Sequence, residues 1–186
     1  MTYEVEMKFS VADPSALESR LAGLGATVSA AQIEVYVYFA HPARDFARSD
    51  EALRIRRKAQ ANFLTYKGPK IDPTTKTRRE IDLPLPPGEP AAQTWTGLLN
   101  ALGFTAVGKV RKSRRKSHVA WQGRRVEISL DEVERLGFFA ELELVVPSAE
   151  VDAARQCIVA LAEVLELEGS ERRSYLELLM SGPSGQ

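Results

Sequence analysis

A chain of 186 residues that is 44% hydrophobic is long enough for one sizeable core and short for two, so one domain over residues 1–180 is expected, with 181–186 as a disordered tail. Lys plus Arg number 25 and Asp plus Glu number 25, so the molecule offers no global field for nucleic acid or an anionic membrane. The start, MTYEVEMKFS, carries no apolar stretch behind basic residues, and no run approaches the roughly 20 apolar residues that span a bilayer, so a cytoplasmic protein is expected.

Tyr3 to Phe9 alternates strictly, with Tyr3, Val5, Met7 and Phe9 on one side and Glu4, Glu6 and Lys8 on the other, the pattern of a half-buried strand. Asp13-Pro14 supplies an N-cap and a first-turn proline for a helix through Leu17, Leu21 and Leu24, which Gly25 stops. Further β-rich runs follow at Ile33 to Phe39, Ala52 to Lys58, Asn62 to Lys67, Arg78 to Leu83, Lys109 to Trp121, Arg124 to Asp131 and Phe138 to Val146. Pro84 to Pro90 reads as a connector and Gln93 to Leu102 as a short helix ended by Gly103. Ser148 opens a longer helix through Val151, Ile158, Leu161 and Leu165, and Arg172 to Met180 forms the last one. The lone Cys157 sits among Ile158 and Leu161, which makes it a buried small hydrophobe and not a nucleophile. The pattern predicts an α+β fold: an eight-stranded antiparallel β-barrel with helices packed on its outside.

On strand after strand one face is almost wholly ionic: Glu4, Glu6 and Lys8; Arg54 and Arg56; Lys67; Arg78, Glu80 and Asp82; Lys109 and Arg111; Glu127 and Asp131; Glu141 and Glu143. The opposite faces are apolar and suit packing under helices, so closing the sheet turns the ionic face into the lining of a lumen. Carboxylates at i and i+2 sit about 6.6 Å apart and repel by roughly 2.5 kcal/mol at an effective dielectric near 20, so several facing pairs need a cation. The candidate ligands Glu4, Glu6, Asp131, Glu141 and Glu143 are all oxygen donors, which select Mg2+ or Mn2+. Lys8, Arg54, Arg56, Lys67, Arg78, Lys109 and Arg111 offer donors suited to phosphate oxygens.

These residues resemble the CYTH superfamily, the triphosphate tunnel metalloenzymes that include class IV adenylyl cyclases and thiamine triphosphatases. Its Glu-x-Glu-x-Lys signature stands as Glu4-Val5-Glu6-Met7-Lys8. The resemblance continues through Leu53-Arg54-Ile55-Arg56, Tyr66-Lys67-Gly68-Pro69, Arg78-Arg79-Glu80, Lys109-Val110-Arg111, Asp131 and Phe139-Ala140-Glu141-Leu142-Glu143 to Arg173-Ser174-Tyr175-Leu176-Glu177-Leu178-Leu179. It implies that Asp131, Glu141 and Glu143 hold the metal, helped by Glu4 and Glu6, and that the Lys and Arg set grips a triphosphate. Glu4, Glu6, Lys8 and Glu80 are the expected catalytic set. The class IV cyclases are the nearer match, which implies conversion of ATP to cyclic AMP and pyrophosphate. Hydrolysis of thiamine triphosphate or inorganic triphosphate is the alternative, and a noncatalytic polyphosphate-binding module a third. The expected partner is a small-molecule triphosphate, with neither nucleic acid nor membrane, on a monomer or homodimer.

The basic run Lys112, Arg114, Arg115 and Lys116 is read as a mainly solvated outer face, half of it sent inward by alternation. Arg57, Lys58 and Arg79 are placed outside. Glu80 divides evenly between a metal or water contact and a salt bridge holding Arg78. His41 and His118 are expected in surface or core roles, and Tyr175 is expected to pack with Leu178 and Leu179 against the barrel.

Overall fold

The structure, a computed structural model, describes residues 2–70 and 77–182, so the expected tail beyond residue 182 lies outside the described residues. Eight strands form: β1 (Thr2–Ser10), β2 (Gln32–Ala40), β3 (Ala52–Lys58), β4 (Ala61–Lys67), β5 (Glu80–Leu85), β6 (Thr105–Trp121), β7 (Arg124–Val133) and β8 (Gly137–Pro147). Four helices accompany them: α1 (Pro14–Gly23), α2 (Glu89–Ala101), α3 (Val151–Val164), entered through a 3-10 turn at Ser148–Glu150, and α4 (Tyr175–Ser181). Local chemistry sets the helix ends. Asp13 accepts the Ala16 N–H at 3.0 Å ahead of Pro14, and Ser174 and Glu177 form a reciprocal capping box on α4. Gly25 and Gly103 follow α1 and α2 with φ of 75° and 88°, the left-handed conformation glycine adopts most cheaply.

All strand pairs are antiparallel, in the order β1-β8-β7-β6-β2-β3-β4-β5. The sheet curls until its two edges meet, and among the described residues one isolated bridge joins them: Glu4 and Arg78 exchange backbone hydrogen bonds of 3.4 and 3.3 Å. Asn62, 1% exposed, donates to the carbonyls of Pro86 and Gly88 and so anchors the proline-rich connector to β4.

The main core lies outside the curl. Val5, Phe9, Val126, Ile128, Leu142 and Leu144 pack under Leu17 and Leu21 of α1 and Ile158 and Leu161 of α3, with buried Cys157 among them. Burying side chains of this kind stabilises by about 1.5–3 kcal/mol each, so this face holds the sheet in its curl. α2 covers Phe39, Leu53 and Ile55 through Leu99 and Trp95. A third cluster sits on the inward face: Tyr36, Tyr38, Val110, Val133 and Phe139 meet Tyr175, Leu176, Leu178 and Leu179 of α4. Among the described residues, no helix is long and apolar enough to cross a membrane.

The parity of β6 corrects one expectation. Val119 and Trp121 belong to the outer core, which turns Val110, Lys112, Arg114 and Lys116 inward and leaves Lys109 and Arg111 exposed on the outside. The register of β6 against β2 shifts only ahead of Lys109, opposite Tyr38/Phe39, and runs unbroken from Lys109 to Arg114, so Lys109 and Arg111 keep the phase opposite to Lys112 and Arg114. Lys58 also differs from expectation: it leans to within 4.0 Å of Glu34, an inward carboxylate, while Arg57 pairs with Glu89 outside and Arg79 is exposed.

Candidate active site

The curl encloses a cavity of ≈ 370 Å³ lined almost entirely by side chains from the inward faces of the strands. β1 contributes Glu4, Glu6 and Lys8; β3, Arg54 and Arg56; β4, Lys67; β6, Lys112, Arg114 and Lys116; β7, Glu127; and β8, Glu141 and Glu143. Arg78 and, on β5, Glu80 and Asp82 complete the wall. Of the expected site residues, only Lys109, Arg111 and Asp131 are absent from it.

The strand register stacks like charges. Glu143 lies directly opposite Glu6 on one side and opposite Glu127 on the other, a row of three carboxylates across β1, β8 and β7. Directly opposed residues have Cβ atoms about 4.5–5.5 Å apart, and like charges there are destabilising. The Glu143 carboxyl is pushed up to about 8, first by burial and then by the charges of Glu4 and Glu6. Burial also raises Glu4, although Lys67 pulls the other way.

Lys67 is the hinge of the acidic wall. Its Nζ lies 2.8 Å from Glu4 and 2.7 Å from Glu80. Burial opposes ionisation of Glu80, but Lys67 and Arg54 outweigh it and hold that carboxyl down at about 2. Of the two roles expected for Glu80, the structure therefore shows an ion pair, made with Lys67 and not with Arg78. Arg78 instead donates to the carbonyls of Gly68 and Asp50 at 3.4 and 3.5 Å.

Asp131 does not reach the cavity wall. Arg114 grips it through Nε and Nη2 at 2.6 and 2.5 Å, Lys112 reaches it at 2.9 Å, and the Tyr175 hydroxyl donates at 2.8 Å. Burial would raise its carboxyl, yet Lys112 and Arg114 lower it, so this 1% exposed group stays ionised with its oxygens occupied. Asp131 thus organises the basic wall: the same Arg114 also pairs with Glu141.

Two cations are held differently. Arg54 makes no ion pair among the described residues; its guanidinium carbon lies 4.5 Å from the ring centre of Tyr36 and 5.9 Å from that of Tyr38, whose hydroxyl accepts from Nη1 at 3.3 Å. Arg56 pairs with Asp82 at 2.5 Å and stacks on Phe63. The Nε atoms of both arginines are buried without a hydrogen-bond partner, donors held ready for an anion.

Several participants escaped the sequence reading. Glu34, 2% exposed, accepts from the Tyr36 hydroxyl, and its carboxyl is lowered against its burial by Arg114 and Lys112. Counting parity along β2 from the outer residues Val37 and Phe39 would have turned it inward. Lys116 pairs with Glu127, and His118 Nε2 approaches Glu127 at 3.5 Å, so this histidine stands at the end of the carboxylate row that it is remote from in sequence. His41 packs with Phe46 and Phe104.

A model of the CYTH domain matches residues 2–175. The chain belongs to the CYTH family. A Methanocaldococcus jannaschii relative, provisionally named an adenylate cyclase, is 35% identical over 178 residues, covering 94% of this CYTH chain and 97% of its own. A solved Pyrococcus horikoshii OT3 structure superposes with a TM-score of 0.82 at 40% identity, covering 96% of this chain and 98% of the other. A Hippeastrum protein, provisionally called an adenylyl cyclase and described as having a dominant triphosphatase activity, shares the CYTH fold at a TM-score of 0.64 and 17% identity, over 97% and 96% of the two chains.

The donor set fits a hard divalent cation. Glu6, Glu141 and Glu143 offer oxygen donors at adjacent register positions, and the repulsion along the Glu6–Glu143–Glu127 row is what such an ion would relieve. Among the described residues no three acidic side chains yet converge as a ligand set, since Lys67, Lys116 and Arg114 engage Glu4, Glu127 and Glu141.

Proposed function

We propose that the chain is a divalent-metal-dependent enzyme that holds a small triphosphate in its tunnel and converts ATP to cyclic AMP and pyrophosphate. The observation that carries this reading is the opposed carboxylate row beside buried arginine donors that lack partners. Such a surface would suit a divalent cation held by the carboxylates together with phosphoryl oxygens held by the arginines.

In this reading Glu6, Glu141 and Glu143 hold Mg2+ or Mn2+. The ion supplies acidification of the attacking hydroxyl and neutralises charge on the phosphate oxygens. Arg54 and Arg56 donate through their Nε atoms to phosphate oxygens, and Tyr36 and Tyr38 keep the Arg54 guanidinium oriented without cancelling its charge. Lys8, Lys67 and Lys112 line the same space and bind further oxygens. The ribose 3′ oxygen forms its bond to the α-phosphorus as the bond to the bridging oxygen breaks, and pyrophosphate leaves against this basic wall. The Glu4 carboxylate, made more basic by burial, takes the hydroxyl proton, whereas Glu80 stays ionised and fixes Lys67.

A second reading, hydrolysis of inorganic triphosphate or thiamine triphosphate, is favoured by the lining itself. It is nearly all ionic, and its aromatic rings are already covered by Lys and Arg, which leaves little surface for a purine. The deciding assay supplies Mg2+ or Mn2+ with ATP, inorganic triphosphate or thiamine triphosphate and measures cyclic AMP, pyrophosphate and phosphate. Cyclic AMP with equimolar pyrophosphate supports the cyclase; phosphate without cyclic AMP, joined by equimolar pyrophosphate where the substrate is inorganic triphosphate, selects the hydrolase; and no product from any substrate overturns both.

A further inference from the structure

The row of carboxylates across β1, β8 and β7 has an electrostatic inverse across β6, β2 and β3. There Glu34 stands directly opposite Lys112 on one side and Lys58 on the other. Arg114 and Arg56 lie one inward position further along the two neighbouring strands, within diagonal reach of it. One carboxylate is thus set among four cations, three of which, Arg56, Lys112 and Arg114, line the cavity.

Glu34 and Asp131 are both buried acids of this basic wall, but they are held differently. Asp131 takes direct hydrogen bonds from Arg114, Lys112 and Tyr175. Among the described residues Glu34 takes one, from the Tyr36 hydroxyl, and Lys58 Nζ stands 4.0 Å away. Lys112, Arg114 and Arg56 place their hydrogen bonds on Asp131, Glu141 and Asp82 instead. Burial works against the charge of Glu34, yet Arg114, Lys112, the Tyr36 hydroxyl and Arg56 hold its carboxyl below the ordinary value, so it stays ionised. A counter-ion whose role was to tie these side chains down would take their hydrogen bonds, as Asp131 does. Glu34 reaches them through its field, just behind the surface that faces the cavity.

We propose that Glu34 is an internal counter-anion that competes with bound phosphate groups for the cations of the basic wall, limiting the affinity of the site so that its anionic product can leave. The inference rests on the triphosphate reading of the site. At an effective dielectric near 20, a unit charge about 10 Å from a bound unit anion alters its affinity by roughly 15-fold.

Glu34→Gln removes the charge and keeps an acceptor for the Tyr36 hydroxyl. Calorimetry on the full chain in chelator, where no metal supports turnover, measures binding of pyrophosphate and inorganic triphosphate. Both are expected to bind Glu34→Gln at least about 10-fold more tightly than the unaltered protein. Glu34→Asp, which retains the charge, is expected to stay within about 3-fold of it. Equal or weaker binding to folded Glu34→Gln overturns the proposal, as does an equal gain in Glu34→Asp. Should Glu34→Gln not fold by itself, its melting is followed with millimolar inorganic triphosphate. Folding recovered by the anion supports the proposal, because phosphate then takes over the charge that Glu34 supplied, and a chain that stays unfolded overturns it. Failure of the unaltered protein to bind either anion, in chelator or with Mg2+, instead overturns the triphosphate reading.

Discussion

On β8, Leu142 and Leu144 point outward into the packing under α3 and are almost wholly buried, while Glu141 and Glu143 point inward, the latter between two other carboxylates. One set of residues makes the strand stable and the next residues along the same chain oppose it. Opposed carboxylates survive because the outer face supplies the stability that the inner face gives up, and a site prepared for a cation and an anion is unfavourable without them.

The comparison breaks most sharply at Arg114, which serves two buried carboxylates at once. Arg114→Ala leaves Asp131 and Glu141 without it and is expected to destabilise by about 3–5 kcal/mol in chemical denaturation, a loss fitting a buried ion pair and not a surface one. On the outer face, Leu142→Ala is expected to cost about 2–5 kcal/mol by the same measurement, while the metal affinity of the folded fraction is unchanged. A drop in metal affinity at folded equilibrium would show that the two faces are not separable.

Glu143→Gln sharpens the contrast by acting in the opposite sense. Because the folded-state carboxyl sits near 8 against an ordinary value of 4.5, the metal-free folded protein holds an extra proton. The associated stability is complete below about pH 4.5 and is lost as pH rises through about 8. Metal-free melting temperature is thus expected to fall between pH 5 and pH 9, and metal affinity to rise with release of a proton. Glu143→Gln is expected to flatten that slope and to reduce turnover by roughly 10²–10³-fold. The lowered carboxyls of Glu34, Glu80 and Asp131 lose their contribution only toward acid, so they leave this window clear. The smallest effect belongs to Lys109→Ala and Arg111→Ala, exposed on the outside, with expected stability changes within about 0.5 kcal/mol and turnover near that of the unaltered chain. A large loss of turnover in either would restore the parity first expected for β6.

Much of the fold was legible because strands have a period of two and the ionic and apolar faces of β1, β3, β7 and β8 separate cleanly. In β6 that rule misled, since Lys-x-Arg occurs twice in opposite phases, at Lys109–Arg111 and Lys112–Arg114. Phase counted back from Val119 and Trp121 resolves it, because an apolar outer core tolerates no slip. Asp131 was correctly turned inward, but its saturation by Arg114, Lys112 and Tyr175 depends on where α4 docks, some 44 residues downstream, and no local pattern records that. The docking of α4 on the inward face escaped for the same reason: the sequence of α4 shows an apolar helix, not the place where it packs.

Among the described residues, the join between β1 and the segment leading into β5 consists of one bridge with long hydrogen bonds, fastened by the charges of Glu4, Lys67 and Glu80. Every other neighbouring pair of strands is laced along its length. The ring is therefore a bracelet with a clasp, and the clasp is electrostatic, sensitive to ionic strength and, under the proposed function, to phosphate groups competing for Lys67. Amide hydrogens of Glu4 and Arg78 should exchange fastest of the sheet, and slow when the bracelet closes on its guest.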